Sequence, residues 1–328
     1  MVGVAIACAL ASAVFLAFGA QRQGSAVKAD TGGLELQSSQ LGRLLRNPRW
    51  LLGLLLLGVG MALNVTALTL APLTVVQPIG SIALVITTVV NSRDQGLRMN
   101  RVTIVSIVAC VMGSALFVSL AVGVTRDTGE VQPAQELTIV LLLAVAVVFF
   151  GTLNALFGRR IGAIGFIVGA GVLFGFVAVL TKVITADLLN PNGRFLLNVP
   201  WYTVVGIAVA GGLGAWFVQS AYSSGPPDLV IAGLTVIDPM VGIAIGIGVL
   251  NELQPNVPAV AAVAMGVAAL IAIVGVFALS RYHPDVIQRR AEARHRQKQA
   301  AAKTGKDQRG APFDRRNGRQ TADDPHCL

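Results

Sequence analysis

The sequence has little charge. Only 12% of its 328 residues are Asp, Glu, Lys or Arg, and 54% are hydrophobic. A soluble domain carries about 25% charged residues, so this chain has roughly half the usual share. The composition excludes an ordinary soluble globular domain and predicts an integral membrane protein.

Cysteine and histidine are also scarce. The three cysteines are Cys8, Cys110 and Cys327, and all three histidines come after residue 280. This number and spacing exclude a disulfide framework and a Cys/His zinc centre. The chain also lacks a nucleotide-binding loop and a recognisable nucleophile–base pair. We therefore predict no enzymatic activity and no cofactor.

Basic residues are present in excess, but mainly in one segment. The net charge is +9, and 12 of the 25 Lys and Arg residues lie after Ser280. The excess therefore predicts a basic, disordered cytoplasmic tail over 281–328 and no nucleic-acid partner. The tail could rest on anionic lipid, or it could be a solvated segment that only fixes the orientation of the chain.

Long apolar runs dominate the rest of the chain. A helix needs about 20 apolar residues to span the hydrocarbon core, and nine stretches meet that rule. The sequence therefore predicts an all-α integral membrane protein with about nine transmembrane helices. The predicted spans are 2–20, 51–70, 72–92, 102–123, 137–158, 163–184, 202–222, 229–251 and 257–280.

The loops between these spans differ in charge. Lys and Arg concentrate in loops 21–50 and 93–101, at Arg159-Arg160 and in the tail. These segments all fall on one side of the membrane if nine spans alternate in direction. The positive-inside rule then places the N-terminus outside and the tail in the cytoplasm of a multi-pass plasma-membrane protein.

Two short segments repeat each other. Residues 73–81 read LTVVQPIGS and residues 234–242 read LTVIDPMVG, on spans predicted to run in opposite directions. Inverted repeats with interrupted helices at matching positions are typical of secondary transporters and their mid-membrane binding sites. We therefore predict a first repeat of four helices over 1–136 and a second of five helices over 137–280.

Polar residues within the spans are the candidate site. A carboxyl near the middle of a span costs at least about 2.5 kcal/mol by insertion scales, which makes Asp238 the strongest candidate. It could change its charge state or its partner during transport, with Lys182 as a possible partner. Each Pro removes a backbone donor and could bend its helix. The predicted pathway residues are Asn64, Thr74, Gln77, Pro78, Lys182, Gln219, Thr235, Asp238 and Pro239.

The chain resembles the drug/metabolite transporter superfamily, and within it the NIPA-type magnesium transporters. The resemblance rests on NVTALTLAPLTVVQPIGSIALV at 64–85 and VIDPMVGIAIGIGVLNE at 236–252. It implies a DMT-like fold with nine helices in a four-plus-five arrangement. The sequence departs from the family pattern at Asp238, where the family usually has Thr. It also lacks an acidic residue shortly before Asn64.

Three functions are compatible with these features. The first is a secondary transporter of a small organic solute, with Asp238 as a proton-coupling or cation-contact group. The second is a NIPA-like Mg²⁺ permease, in which Asp238 would be a metal contact and at least two carboxylates should converge in a cavity. The third is a non-transporting membrane scaffold, which should have a fully packed interior.

Overall fold

The computed structural model describes residues 2–32, 42–70, 82–94, 100–126, 131–158, 161–189, 200–284 and 286–288. These ranges contain nine long helices and no strand beyond an isolated bridge between Thr125 and Leu253. The helices are α1 (Val2–Thr31), α2 (Pro48–Leu70), α3 (Ile82–Asp94), α4 (Arg101–Val124), α5 (Pro133–Phe157), α6 (Ala163–Leu189), α7 (Trp201–Ser224), α8 (Pro227–Gly248) and α9 (Ala259–Tyr282).

The fold class predicted from composition is confirmed. Within the described ranges, eight helices are long and apolar enough to cross a membrane, and α3 has 13 residues in its described part. The remainder of the predicted third span falls on residues 71–81, which lie outside the described ranges. The four-plus-five repeat therefore stays a prediction.

The first predicted span covers 2–20, but the helix that contains it, α1, continues to Thr31, so residues 21–31 are helical and not part of a loop. Hydropathy falls after Ala20, but Gln, Ala and Lys are good helix formers. Gln23 and Val27 are also buried in the bundle. The helix ends at Gly32, whose φ of +62° is the left-handed conformation typical of a glycine that caps a helix C-terminus.

Small residues allow several helix pairs to pack closely. In the α1–α2 pair, a Cβ added at Gly19 would lie 2.9 Å from the backbone nitrogen of Leu57. In the α4–α9 pair, a Cβ at Gly113 would lie 2.7 Å from the backbone nitrogen of Ala272. Such contacts are typical of helix packing in membranes, where small residues let backbones approach.

The two ends of the bundle differ in charge. We call the end where α1, α3, α5, α7 and α9 finish the basic end. The exposed arginines described there are Arg43, Arg46, Arg49, Arg93, Arg101 and Arg281. At the opposite end, Arg126, Lys182 and the carboxylates Glu136 and Glu252 are described. The compact unit extends to Val286, a few residues past the predicted start of the tail.

Candidate functional site

A large cavity lies among α1, α2, α6, α7 and α8. Its volume is about 980 Å³. Near the basic end it is lined by Leu45 and Trp50, and farther along the helices by Asn64, Thr235 and Asp238. It therefore extends from the basic end to about half the length of α8. The described part of the structure therefore lacks the fully packed interior expected of a non-transporting scaffold.

Asp238 is the one charged side chain among the described residues that line this cavity. It occupies the twelfth position of the 22-residue α8, about 16 Å along the helix axis from Pro227. Its side chain is half-buried, and no described residue donates a hydrogen bond or forms an ion pair with the carboxylate. A negative charge is thus presented to the cavity without a neighbouring cation.

Amide and indole groups form a hydrogen-bonded chain along the same cavity. The Trp50 indole Nε1–H donates to Gln219 Oε1 at 3.1 Å, and Gln219 Nε2 donates to Gln23 Oε1 at 3.1 Å. All three side chains are buried. The chain joins α2, α7 and α1 and fixes the Gln219 side chain, since a buried amide must keep its partners.

Pro239 lies inside a continuous helix. Helix α8 runs unbroken from Pro227 to Gly248 with Pro239 inside it. The proline has no N–H for the carbonyl of Thr235, four residues earlier. Ser114 of α4 supplies the missing donor, because its Oγ–H donates to the Thr235 carbonyl oxygen at 3.0 Å. An interhelical hydrogen bond therefore replaces the one lost next to Asp238.

Two glycines of α6 hold α8 in place behind Asp238. A Cβ added at Gly171 would lie 2.7 Å from the Ile237 side chain. At Gly175 it would lie 2.7 Å from the Val241 Cβ and 3.0 Å from the Asp238 carbonyl oxygen. The Gly171-x-x-x-Gly175 motif therefore packs against the segment of α8 that carries the carboxylate.

Lys182 lies away from the cavity. Its Nζ is 2.8 Å from Glu252 Oε1 at the end opposite the basic end, so the structure pairs it with Glu252. Gly246 makes room for this carboxylate, since an added Cβ would lie 2.7 Å from Glu252 Oε2. The backbone of Glu252 also accepts a hydrogen bond from the Arg126 N–H at 2.7 Å. Residues 249–254, which we call the α8–α9 clasp, are thus fastened to α4 and α6.

The predicted site residues divide into three groups. Asn64, Gln219, Thr235 and Asp238 line the cavity, whereas Pro239 and Lys182 do not. Thr74, Gln77 and Pro78 lie outside the described residues.

Sequence reasoning missed other cavity residues. Gln23 lines the cavity, but the predicted first span ended before it. Trp50, Phe174, Trp216 and Tyr222 also line it. Aromatic residues in apolar helices resemble ordinary core or interface residues, so they gave no separate signal. The Gln23 amide would have been informative if the predicted first span had continued past residue 20.

A buried polar cluster near the basic end was also missed. Asn91 Nδ2 donates to Asp228 Oδ1 at 3.3 Å, and His283 Nε2 lies 2.9 Å from Asp228 Oδ2. The exposed fractions of Asn91, Asp228 and His283 are 1%, 0% and 3%. His283 falls in the segment 281–328 that the sequence predicts to be a cytoplasmic tail. Asp228 also lies in the first turn of α8, where the helix dipole favours a negative charge. The cluster ties α3, α8 and α9 together.

Comparisons with known proteins agree with the helical membrane fold. A family described as "Magnesium transporter NIPA" matches residues 1–188. An uncharacterised protein of Corynebacterium glutamicum is 30% identical over 282 residues, which cover 85% of this chain and 95% of that protein. No solved structure matches the chain closely enough to carry a comparison. The family match includes α1 to α5 and nearly all of α6, whereas Gln219 and Asp238 lie beyond it.

Proposed function

This chain belongs to the NIPA magnesium transporter family, and from that premise we propose that it is a secondary transporter whose small solute binds in the cavity beside Asp238. The observation that carries the proposal is the cavity of about 980 Å³ with a carboxylate half way along α8. Charged groups at membrane depth are costly and commonly mark a substrate or ion pathway. Asp238 then serves as the cation-contact or proton-coupling group.

A Mg²⁺ permease is the second candidate, and the family match favours it. Mg²⁺ is commonly bound through one or two carboxylates and keeps several waters. Asp238 is the one carboxylate among the described cavity residues, and the described residues contain no group of three or more His, Cys, Asp or Glu that could hold a metal. The second carboxylate expected for a Mg²⁺ pathway is not among the described cavity residues, so we rank an organic solute first.

The orientation follows from the same proposal. The positive-inside rule places the basic end in the cytoplasm of a plasma-membrane protein. The cavity then gives access from the cytoplasmic side. Most of the basic tail lies outside the described residues, and for it we propose a contact with anionic lipid.

The test is uptake into proteoliposomes with and without an imposed pH gradient. Mg²⁺ and a panel of organic cations are offered to the wild type, to Asp238→Asn and to a control. The control is Asp30→Asn, which makes the same change near the end of α1, outside the cavity lining.

Asp238→Asn keeps the side-chain shape and removes the charge. We expect uptake to fall at least about tenfold, which corresponds to 1.4 kcal/mol, and to lose its dependence on the pH gradient. Asp30→Asn should behave like the wild type. Equal uptake and equal pH dependence in all three proteins would contradict a transport role for Asp238.

A further inference from the structure

The charge of the cavity limits what it can bind. Asp238 contributes one negative charge, and no other charged side chain lines the cavity among the described residues. A carboxylate removed from water is strongly disfavoured unless a cation or hydrogen-bond donor compensates it. No described residue supplies that compensation. A ligand with a single positive charge would compensate the Asp238 carboxylate.

The remaining walls are apolar and aromatic. Trp50, Phe174, Trp216 and Tyr222 line the cavity, together with leucine, alanine and glycine from α1, α2 and α7. Aromatic rings attract cations, Trp most strongly, and more so when the cation has lost its water. Apolar walls favour an apolar ligand body through the hydrophobic effect. The volume of about 980 Å³ lies at the upper end of the range for drug-sized ligands, which is about 300–1,000 Å³.

The polar groups of the cavity are poorly suited to a hydrated metal ion. The waters around Mg²⁺ are donors and need acceptors around them. The Gln219 oxygen accepts one hydrogen bond from Trp50 and the Gln23 oxygen one from Gln219, so each can accept only one more. Asp238, Asn64 and Thr235 add a few further acceptors, and most of the other lining residues are apolar. A hydrated dication would therefore face mostly apolar surface.

We infer that the cavity binds a monovalent organic cation with an apolar or aromatic body, its charge beside Asp238 and its body against the aromatic wall near Trp216. This inference rests on the proposed function, since it takes the cavity as the solute site. It narrows that function to one class of solute, which differs from the metal named in the description of the family.

The experiment measures binding of tetraphenylphosphonium to the purified full-length chain in an uncharged detergent by equilibrium dialysis. Tetraphenylborate has the same four-phenyl shape with the opposite charge, so it separates charge recognition from simple partitioning. Asp238→Asn tests the carboxylate, Trp216→Leu tests the aromatic wall, and Asp30→Asn is the control for a carboxylate outside the cavity lining. Proteoliposome uptake of tetraphenylphosphonium and of Mg²⁺ is measured in parallel.

We expect saturable binding of tetraphenylphosphonium, and no comparable saturable binding of tetraphenylborate when it is dialysed alone. Asp238→Asn should weaken it at least about tenfold and Trp216→Leu by about threefold or more, in line with charge–charge and cation–π contacts. Asp30→Asn should leave it unchanged. Absent binding, or binding equal in the wild type and Asp238→Asn, overturns the inference. If the wild type does not bind tetraphenylphosphonium through Asp238 but takes up Mg²⁺, the proposal of a transporter is kept and the organic cation is rejected as its solute. If tetraphenylphosphonium binds as expected but neither cation is taken up, the ligand class stands and transport falls.

Discussion

At the scale of single residues, Pro239 depends on a partner from another helix. Pro239 leaves the Thr235 carbonyl without an intrahelical donor, and Ser114 of α4 provides one at 3.0 Å. A buried acceptor without a partner costs about 1–3 kcal/mol. The Ser114 hydroxyl therefore stabilises a proline that would otherwise weaken α8 next to the candidate site.

Removing this hydroxyl should destabilise the protein. Ser114→Ala is expected to lower the free energy of unfolding by about 1–2 kcal/mol, measured by thermal unfolding in detergent. Pro239→Ala restores the backbone N–H, so the double variant Ser114→Ala/Pro239→Ala should recover most of the loss. Ser106→Ala is the matched control on the same helix, because Ser106 Oγ donates to Val102 within its own turn. Equal losses for Ser106→Ala and Ser114→Ala would show that the Thr235 carbonyl does not need Ser114.

Part of the residue-level site could be predicted from the sequence. Asp238, Thr235, Gln219 and Asn64 are polar residues in apolar runs, and all four line the same cavity. The partner of Pro239 could not be predicted, since a serine in a transmembrane helix commonly bonds to its own backbone. The partner of Lys182 also depended on tertiary structure, because it comes from a turn after α8.

At the scale of helices, close packing of α6 on α8 fixes the depth of Asp238. Gly171 and Gly175 lie against Ile237 and Val241, the residues on either side of the carboxylate along α8. A small-residue motif of this kind indicates close packing but not which helix it meets. The spacing of small residues shows which face of a helix can be packed closely. The helix that packs there depends on the assembly of the whole bundle.

A methyl group at this contact should be costly. Gly175→Ala would place a Cβ 2.7 Å from the Val241 Cβ, so α6 and α8 must separate. We expect a lower melting temperature in detergent, corresponding to about 1–3 kcal/mol of overpacking. Gly151→Ala on α5 is the control, since its added Cβ meets no atom within 4 Å. Alanine is the better helix former, so that variant should be unchanged or slightly more stable. A Gly175→Ala protein as stable as Gly151→Ala would argue against the α6–α8 contact.

Helix positions were predictable because length and hydropathy determine which segments cross a bilayer. Helix ends were less so. Helix α1 extends beyond its apolar run to Thr31, and the Asn91–Asp228–His283 cluster forms where three helices end. Hydropathy identifies the segments that are apolar enough to lie in the membrane, but it does not determine where a helix ends. It therefore cannot identify polar groups that become buried at helix ends.

At the scale of the whole molecule, the helix packing is compatible with two related halves. Helix α3 packs against α8, and α4 packs along α9. These are the pairs that a two-fold axis in the membrane plane would bring together if α1–α4 matched α6–α9. The repeated LTVVQP and LTVIDP segments would then lie on opposite sides of that axis. The first of them lies outside the described residues, so the inverted repeat remains a proposal.

The central claim is that solute passes through the cavity beside Asp238, and filling that cavity tests it most directly. Gly212 lines the cavity, and a Cβ added there meets no atom within 4 Å. Gly212→Trp should therefore occupy the cavity without displacing the backbone. The control is Gly151→Trp, at a position on α5 that is equally open and outside the cavity lining.

The measurement is the initial rate of solute uptake into proteoliposomes containing equal amounts of folded protein. The account predicts that Gly212→Trp abolishes uptake and Gly151→Trp retains it. Uptake by Gly212→Trp at the rate of the wild type would contradict the account.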